Sequence, residues 1–319
     1  MKRTSILILI ALATGCSKTS AGDDPGARKS VESATGPARA GLIAKINAYV
    51  GCINSMNPPI RDSRKRYYGW ASPQKGPTMD GAGQGISAVT RETTYGYQCF
   101  KNRDQGLDHI GKLPPVPGLD EAGAAYQKAL NDVMAAMSAA AEYYDHKDYK
   151  DDKLAKGKEH HANLVEKFTK FEEATHALEV SMQTIQDKLG AEHLVELEKK
   201  EGKKARWHQA KLMHAADILV RVASEGEQPD AAKLTEAGEA YAKIFADTKA
   251  WTDANKAEAD KESSWGSLVR EGDEVLTAWK EIARVLRDKK KLPDSGDGSV
   301  DELITEYNSL VSTSNGLWD

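Results

Sequence analysis

Residues 164–189, LVEKFTKFEEATHALEVSMQTIQDKL, decide the fold. Within them Leu164, Phe168, Phe171, Thr175, Leu178, Met182, Ile185 and Leu189 recur at alternating steps of four and three. A repeat of about 3.5 residues draws one apolar seam along a helix and demands partner helices packed at a shallow angle. The same steps join Tyr126, Leu130, Val133, Met137, Ala140 and Tyr144. Shorter versions occur at Ile46, Tyr49, Ile53 and Met56, at His208, Leu212, Ala215, Leu219 and Val222, and at Leu268, Gly272, Val275, Trp279, Ile282 and Leu286. No stretch alternates convincingly at period two. The expected fold is therefore all-α: an elongated multi-helix bundle of about six to eight helices with heptad-like seams.

Pro58 and Pro59 follow Asn57 and are expected to end or kink the first helix, with Asn57 capping a second that runs to Trp70. Ser72 to Gly85, rich in Gly and Pro, and Leu113 to Gly118, with its prolines, are expected to be loops. Helices are then expected over about 120–147, 150–189, 191–225, 230–258, 263–291 and 299–313. The second of these would be about 60 Å long, which is why the body is expected to be elongated.

Upstream of the body, Met1, Lys2 and Arg3 are followed by an apolar run from Ile6 to Leu12, the layout of a secretory signal. That run is well short of the roughly 20 apolar residues that cross a bilayer. Leu12, Ala13, Thr14, Gly15 and Cys16 resemble a lipobox, in which small residues precede a cysteine whose thiol receives a diacylglyceryl group. Residues 1–15 are thus expected to be a lipoprotein signal peptide and Cys16 the lipidated residue; a plain signal cut elsewhere is the alternative. Ser17 after the cysteine, rather than Asp, points to the outer membrane, with the protein lipid-anchored on its periplasmic face. Residues 16–41 contain almost no large apolar side chain and cannot offset their ordering entropy by burial, so they are expected to form a flexible, disordered tether. Residues 42–319 form the helical-bundle body. Loss of Lys2 and Arg3 moves the formal net charge from -4 to -6, which disfavours nucleic acid as a partner.

Cys52 and Cys99 would lie in an oxidising compartment, where a disulfide between them is expected. Buried free thiols and a reactive redox pair are the other readings. The second lacks both a CxxC spacing and a flanking cationic cluster that would lower a thiol pKa.

The stretch Tyr143, Tyr144, Asp145, His146, Lys147, Asp148, Tyr149, Lys150, Asp151, Asp152, Lys153, Leu154, Ala155, Lys156, Gly157, Lys158 carries a resemblance. Together with Leu197, Glu198, Lys199, Lys200, Glu201, Gly202, Lys203 and Lys204, it resembles the YiiG family of bacterial lipoproteins. The similarity is strongest from Tyr143 to about Met213 and weaker from about Ile46 to Lys290. It also covers a lipobox cysteine and positions like Cys52 and Cys99. The family's domain is one of unknown function, so the resemblance implies no catalytic residues. Tyr144, Tyr149, Asp151 and Asp152 are a candidate recognition patch, because aromatic faces among paired charges suit a protein partner. The competing reading has Asp148, Asp151 and Asp152 stabilising a helix N-terminus while the tyrosines pack the corner.

Glu173 and His176 form an ExxH, the spacing that a di-iron bundle uses twice, but the chain has no second one. His214 and Asp217 share a helix face; His160 and His161 diverge by about 100° and cannot both ligate from a straight helix. HExxH, P-loop, GxSxG and GxGxxG are missing. No metal, cofactor or catalytic residue is therefore assigned. Trp251, Trp265 and Trp279 recur at steps of fourteen and read as core packing ahead of an aromatic ligand groove. The expected function is that of a lipid-anchored, non-enzymatic binding or scaffolding module facing an envelope protein partner. The alternative is a metal- or small-ligand-binding periplasmic carrier or enzyme.

Overall fold

The computed structural model describes residues 37–102, 106–225, 229–288 and 290–317. The signal peptide, Cys16 and the tether as far as residue 36 lie outside the described residues. Among the described residues all regular structure is helical and no strand forms. Seven helices are long: α1 Pro37–Trp70, α4 Leu119–Asp145, α5 Ala155–Glu201, α6 Ala205–Ser224, α7 Ala231–Ala254, α9 Trp265–Arg287 and α10 Val300–Asn315. Three are short: α2 Thr94–Gly96, which continues as a π-helical turn Tyr97–Lys101, α3 Leu107–Ile110 and α8 Lys256–Ala259. No described helix is long and apolar enough to cross a membrane. The all-α expectation holds.

The described residues divide into two compact units, residues 37–184 and residues 185–317. In the first, α1 and α4 run parallel: Lys45 pairs with Asp120, Asn57 meets Tyr126, and Trp70 meets Tyr144. The first part of α5 is antiparallel to α1, with Tyr67 beside His161, Tyr68 beside Phe168 and Arg64 paired with Glu172. Two parallel consecutive helices need a crossover, and residues 71–118 supply it. The Cys52–Cys99 disulfide ties that crossover to α1, in agreement with the sequence reading. The expected seams are the core: Leu164, Phe168, Phe171, Thr175, Leu178, Met182 and Leu189 are buried, as are all six seam residues of α4.

In the second unit α6, α7, α9 and α10 form a closed ring of neighbours, each packed on two others. The pairs Thr252–Trp265, Tyr241–Gly272 and Gly238–Trp279 run α7 and α9 antiparallel. Gln209–Ser314 and Tyr307–Asp217 do the same for α6 and α10. This is an up-down-up-down four-helix bundle with short connections. Gly238 is required by closeness: a Cβ there would overlap the Trp279 indole.

Three expectations about boundaries are corrected. Helix α1 begins at Pro37, so residues 37–41 belong to a helix rather than to the tether. It also continues through Pro58 and Pro59. Adjacent prolines disturb the same turn, at a cost of about 3 kcal/mol or more each in a helix interior. Around them Met56 and Ile60 are fully buried, Cys52 is covalently fixed, and Asn57 accepts the Tyr126 hydroxyl at 3.2 Å instead of capping a helix. Finally, α5 runs past Gly190 and stops at Gly202, whose φ of 77° ends the helix in the left-handed conformation that glycine tolerates. Gly190 answers to packing, since a Cβ would come within 2.9 Å of the His214 imidazole.

Candidate functional site

The corner between α4 and α5 gathers the residues singled out for recognition. After Asp145 the chain makes a 3-10 turn, Asp148–Lys150, and enters α5 at Ala155. Lys147, Lys153 and Leu154 adopt φ of 64°, 51° and 69°, the non-glycine residues with positive φ among those described. Asp152 anchors the corner: it accepts the Tyr143 hydroxyl at 2.7 Å and the Lys156 N–H at 3.0 Å. Desolvation opposes its ionisation, but donation from the Lys156 N–H and the Tyr143 hydroxyl holds its carboxyl below the usual range.

Tyr144 and Tyr149 are buried, and Asp151 is exposed. The Tyr144 ring sits edge-on to Trp70 at 5.2 Å and to Tyr143 at 5.0 Å, with Tyr149 6.2 Å away. Tyr67 donates to His161 Nδ1 at 3.0 Å; the imidazole's Nε2–H faces the Pro73 carbonyl at 3.4 Å, which fixes Nδ1 as the acceptor. The crossover lies directly on this cluster. Trp70 Nε1 donates to the Gly85 carbonyl at 2.9 Å, and a Cβ on Gly81 would come within 2.7 Å of the Trp70 ring. The structure thus brings the four patch residues together but divides them. The tyrosines and Asp152 hold the corner, whereas Lys147, Asp148, Lys150, Asp151 and Lys153 present its exposed rim.

Glu173 and His176, the lone ExxH, are both exposed on α5. His214 and Asp217 do share a face of α6. Asp217 receives Arg221 at 3.3 Å and Tyr307 at 3.4 Å, and burial raises its carboxyl despite the Arg221 charge. Arg221 also donates to Asp187 at 2.8 Å, so this cluster ties α6 to α5 and α10. Among the described residues no three His, Cys, Asp or Glu side chains are grouped to hold a metal. The tryptophans are split between helices: Trp251 meets Trp265 at 5.3 Å and stacks on His208 at 5.0 Å, while Trp279 covers Gly238. His208, on the α6 seam, is buried as a seam residue should be, but its Nδ1 has no hydrogen-bond partner. Desolvation, aided by the charge of Lys211, pushes its imidazole down to about 4, so it is neutral.

Sequence reading missed a second polar feature of the first unit. Thr175 Oγ1 and Glu179 Oε1, one helical turn apart on α5, are both buried without a hydrogen-bond partner. Burial pushes the Glu179 carboxyl up to about 7, opposed by the charge of Arg61 on α1. Glu179 stands beside Leu178 and off the 3.5-residue seam, where periodicity gives no sign of burial.

Comparison with known proteins adds a family. The model described as "Protein of unknown function (DUF3829)" matches residues 40–316. The chain is 24% identical over 288 residues to the uncharacterized protein YiiG of Escherichia coli (strain K12), covering 86% of this chain and 78% of that one. No solved structure matches. The chain belongs to the DUF3829 family.

Proposed function

We propose that this DUF3829 member is a lipoprotein of the bacterial envelope, held on the periplasmic face of the outer membrane through Cys16. Its helical body serves to bind another envelope protein rather than to catalyse a reaction, and the α4–α5 corner is the binding surface. The anchoring reading rests on the charged start, apolar run and small residues before Cys16.

The binding reading is carried by the backbone of the corner. Each non-glycine residue in the left-handed region costs on the order of 1–2 kcal/mol. Gly76, Gly118, Gly202, Gly296 and Gly298 take positive φ elsewhere at little cost. At the corner the sequence uses Lys147, Lys153 and Leu154 instead. Leu154 has a packing reason, since it is buried against Gly157. Lys147 and Lys153 are exposed and have none. Retaining charged side chains there, beside exposed Asp148, Lys150 and Asp151, fixes a pattern of charges on a rigid aromatic base, as protein recognition requires.

Replacing both Lys147 and Lys153 by glycine is expected to raise stability by roughly 1 kcal/mol or more and to lower the yield of a crosslink placed at position 151 in the intact envelope. An unchanged crosslink yield would remove the corner as the binding surface. Cys16→Ala tests the anchor independently: metabolic lipid labelling should vanish, and persistent labelling would refute lipidation at that residue.

A further inference from the structure

Tyr67, Tyr126, Tyr241 and Tyr307 are fully buried, and a buried phenol O–H needs an acceptor. Tyr241 donates to the Gly272 carbonyl at 2.8 Å and Tyr126 to the Asn57 amide oxygen at 3.2 Å. An amide oxygen satisfies the bond but is too weak a base to take the proton. Tyr307 reaches the Asp217 carboxylate at 3.4 Å, which Arg221 already engages at 3.3 Å. Tyr67 differs from all three. Its hydroxyl donates to His161 Nδ1 at 3.0 Å, a ring nitrogen whose lone pair can accept the proton outright. The imidazolium so formed would still present its Nε2–H to the Pro73 carbonyl at 3.4 Å.

Tyr67 also belongs to a chain of rings in contact. Trp70 stands edge-on to it at 5.1 Å and edge-on to Tyr144 at 5.2 Å, and Tyr144 is edge-on to Tyr143 at 5.0 Å. Tyr143 ends the chain on a second base, donating to the Asp152 carboxylate at 2.7 Å. Trp70 and Asp152 are both half-buried, so solvent reaches the chain at an indole and at a carboxylate. Edge-to-face packing accounts for the rings but not for a protonatable acceptor at each outer tyrosine. Indole and phenol are side chains that give up a single electron readily, and rings in contact exchange electrons. An oxidised phenol is a very strong acid and keeps the hole only if its proton leaves with the electron. A base already hydrogen-bonded to it provides that step.

We infer that this cluster intercepts one-electron oxidants: an oxidising equivalent that lands on Trp70 passes to Tyr67 and is held there as a neutral tyrosyl radical, with the proton on His161. The oxidant belongs to the class of small inorganic radicals, such as the carbonate radical anion, which takes one electron from the Trp70 indole and becomes carbonate. One electron then moves from Tyr67 to the indole and restores it, while the Tyr67 O–H bond breaks and an N–H bond forms at His161 Nδ1. The oxidant is reduced, Tyr67 is oxidised, and no atom leaves the protein. A one-electron reductant of the thiolate class closes the cycle by supplying the electron, and His161 returns the proton. This activity is independent of the binding assigned to the exposed rim of the corner.

The test uses the full chain carrying Tyr95→Phe and Tyr97→Phe, because those two tyrosines are 49% and 56% exposed and a dissolved oxidant reaches them directly. A flash applied to tris(bipyridine)ruthenium(II) and persulfate generates the oxidant, and samples frozen after the flash are read by electron paramagnetic resonance. A tyrosyl signal is expected, with hyperfine coupling to a histidine nitrogen when histidine is isotopically labelled. Tyr67→Phe and His161→Gln should each lose that coupled signal, and Trp70→Phe should slow its appearance. The coupling is read with the cluster itself unsubstituted, so a variant that misfolds leaves the test intact. A tyrosyl signal without histidine coupling overturns the inference. So does a coupled signal undiminished in Tyr67→Phe, or an indole radical as the sole product.

Discussion

Glu179→Gln is expected to stabilise the unit formed by residues up to Thr184, and increasingly so as pH rises. Glu179 Oε1 is buried without a partner, and burial, opposed by Arg61, pushes the carboxyl from an ordinary 4.5 up to about 7. An acid whose value is raised on folding holds its proton more tightly in the folded state. Below 4.5 both states are protonated and nothing is lost. Between 4.5 and about 7 the unfolded chain ionises first, so stability falls as pH rises, and above about 7 the loss is complete. At 1.36 kcal/mol per pH unit, a rise from 4.5 to about 7 corresponds to about 3 kcal/mol. Movement of the carboxylate toward Arg61 and water reduces this, leaving about 1–3 kcal/mol.

Glutamine keeps the side chain's volume and cannot ionise, so the variant should lack this pH dependence. The assay is amide hydrogen exchange by mass spectrometry on peptides from α1, α4 and the first part of α5. Taking the ratio of variant to parent at each pH cancels the intrinsic exchange rate. Near pH ~4.5 the ratio should be close to unity, and near pH ~8 the variant should exchange roughly five- to a hundredfold more slowly. A ratio that stays constant with pH, or a variant that exchanges faster at the alkaline end, would falsify the assignment of Glu179 as a buried, neutral-favouring acid.

Two further outcomes follow from packing and covalent structure. Gly238→Ala forces a Cβ into the Trp279 indole and should lower the thermal stability of the four-helix unit by about 1–3 kcal/mol, whereas Gly266→Ala, with open space at its Cβ, should not. Replacing Cys52 and Cys99 by serine opens a loop of 47 residues, for which chain entropy gives a loss on the order of 4 kcal/mol. The crossover should become the first site of limited proteolysis, and non-reducing mass spectrometry of the parent should return the Cys52–Cys99 peptide pair.

The helical core was legible because seams are a property of spacing. Every seam residue of α4 and all but Ile185 in the α5 series are buried. The disulfide was legible from the cysteine count together with the expectation of export. The helix boundaries were less so, because proline and glycine rules describe local preference, and tertiary contacts at Asn57 and His214 override them at Pro58 and Gly190. Glu179 was not legible at all. A carboxylate beside a seam has the same periodic signature whether its helix faces water or a third helix, and only the parallel pairing of α1 and α4 across the crossover decides between them. Spacing placed the patch residues on one corner but cannot tell that Tyr144 and Tyr149 are buried, as the packing reading expected, while Asp151 is exposed.

What sequence and structure establish jointly is where local preference is violated. Over most of the chain, local and tertiary preferences agree: seams are buried, α7 starts on Asp230 and α10 on Ser299 as capping residues, and α5 stops at a glycine. Two connections depart from that agreement. At Lys147 to Leu154 the backbone is left-handed where glycine would cost less, and at Lys203 to Arg206 the charge is positive where serine or aspartate would be stabilising. Both departures lie between helices and expose charged side chains. A fold needs neither, because Gly118 and Ser299 solve the same two problems by the ordinary rules elsewhere in this chain. Features that the fold can do without, at a cost to stability, are the ones to assign to binding, and at the α4–α5 corner they leave a mixed-charge rim suited to a protein partner.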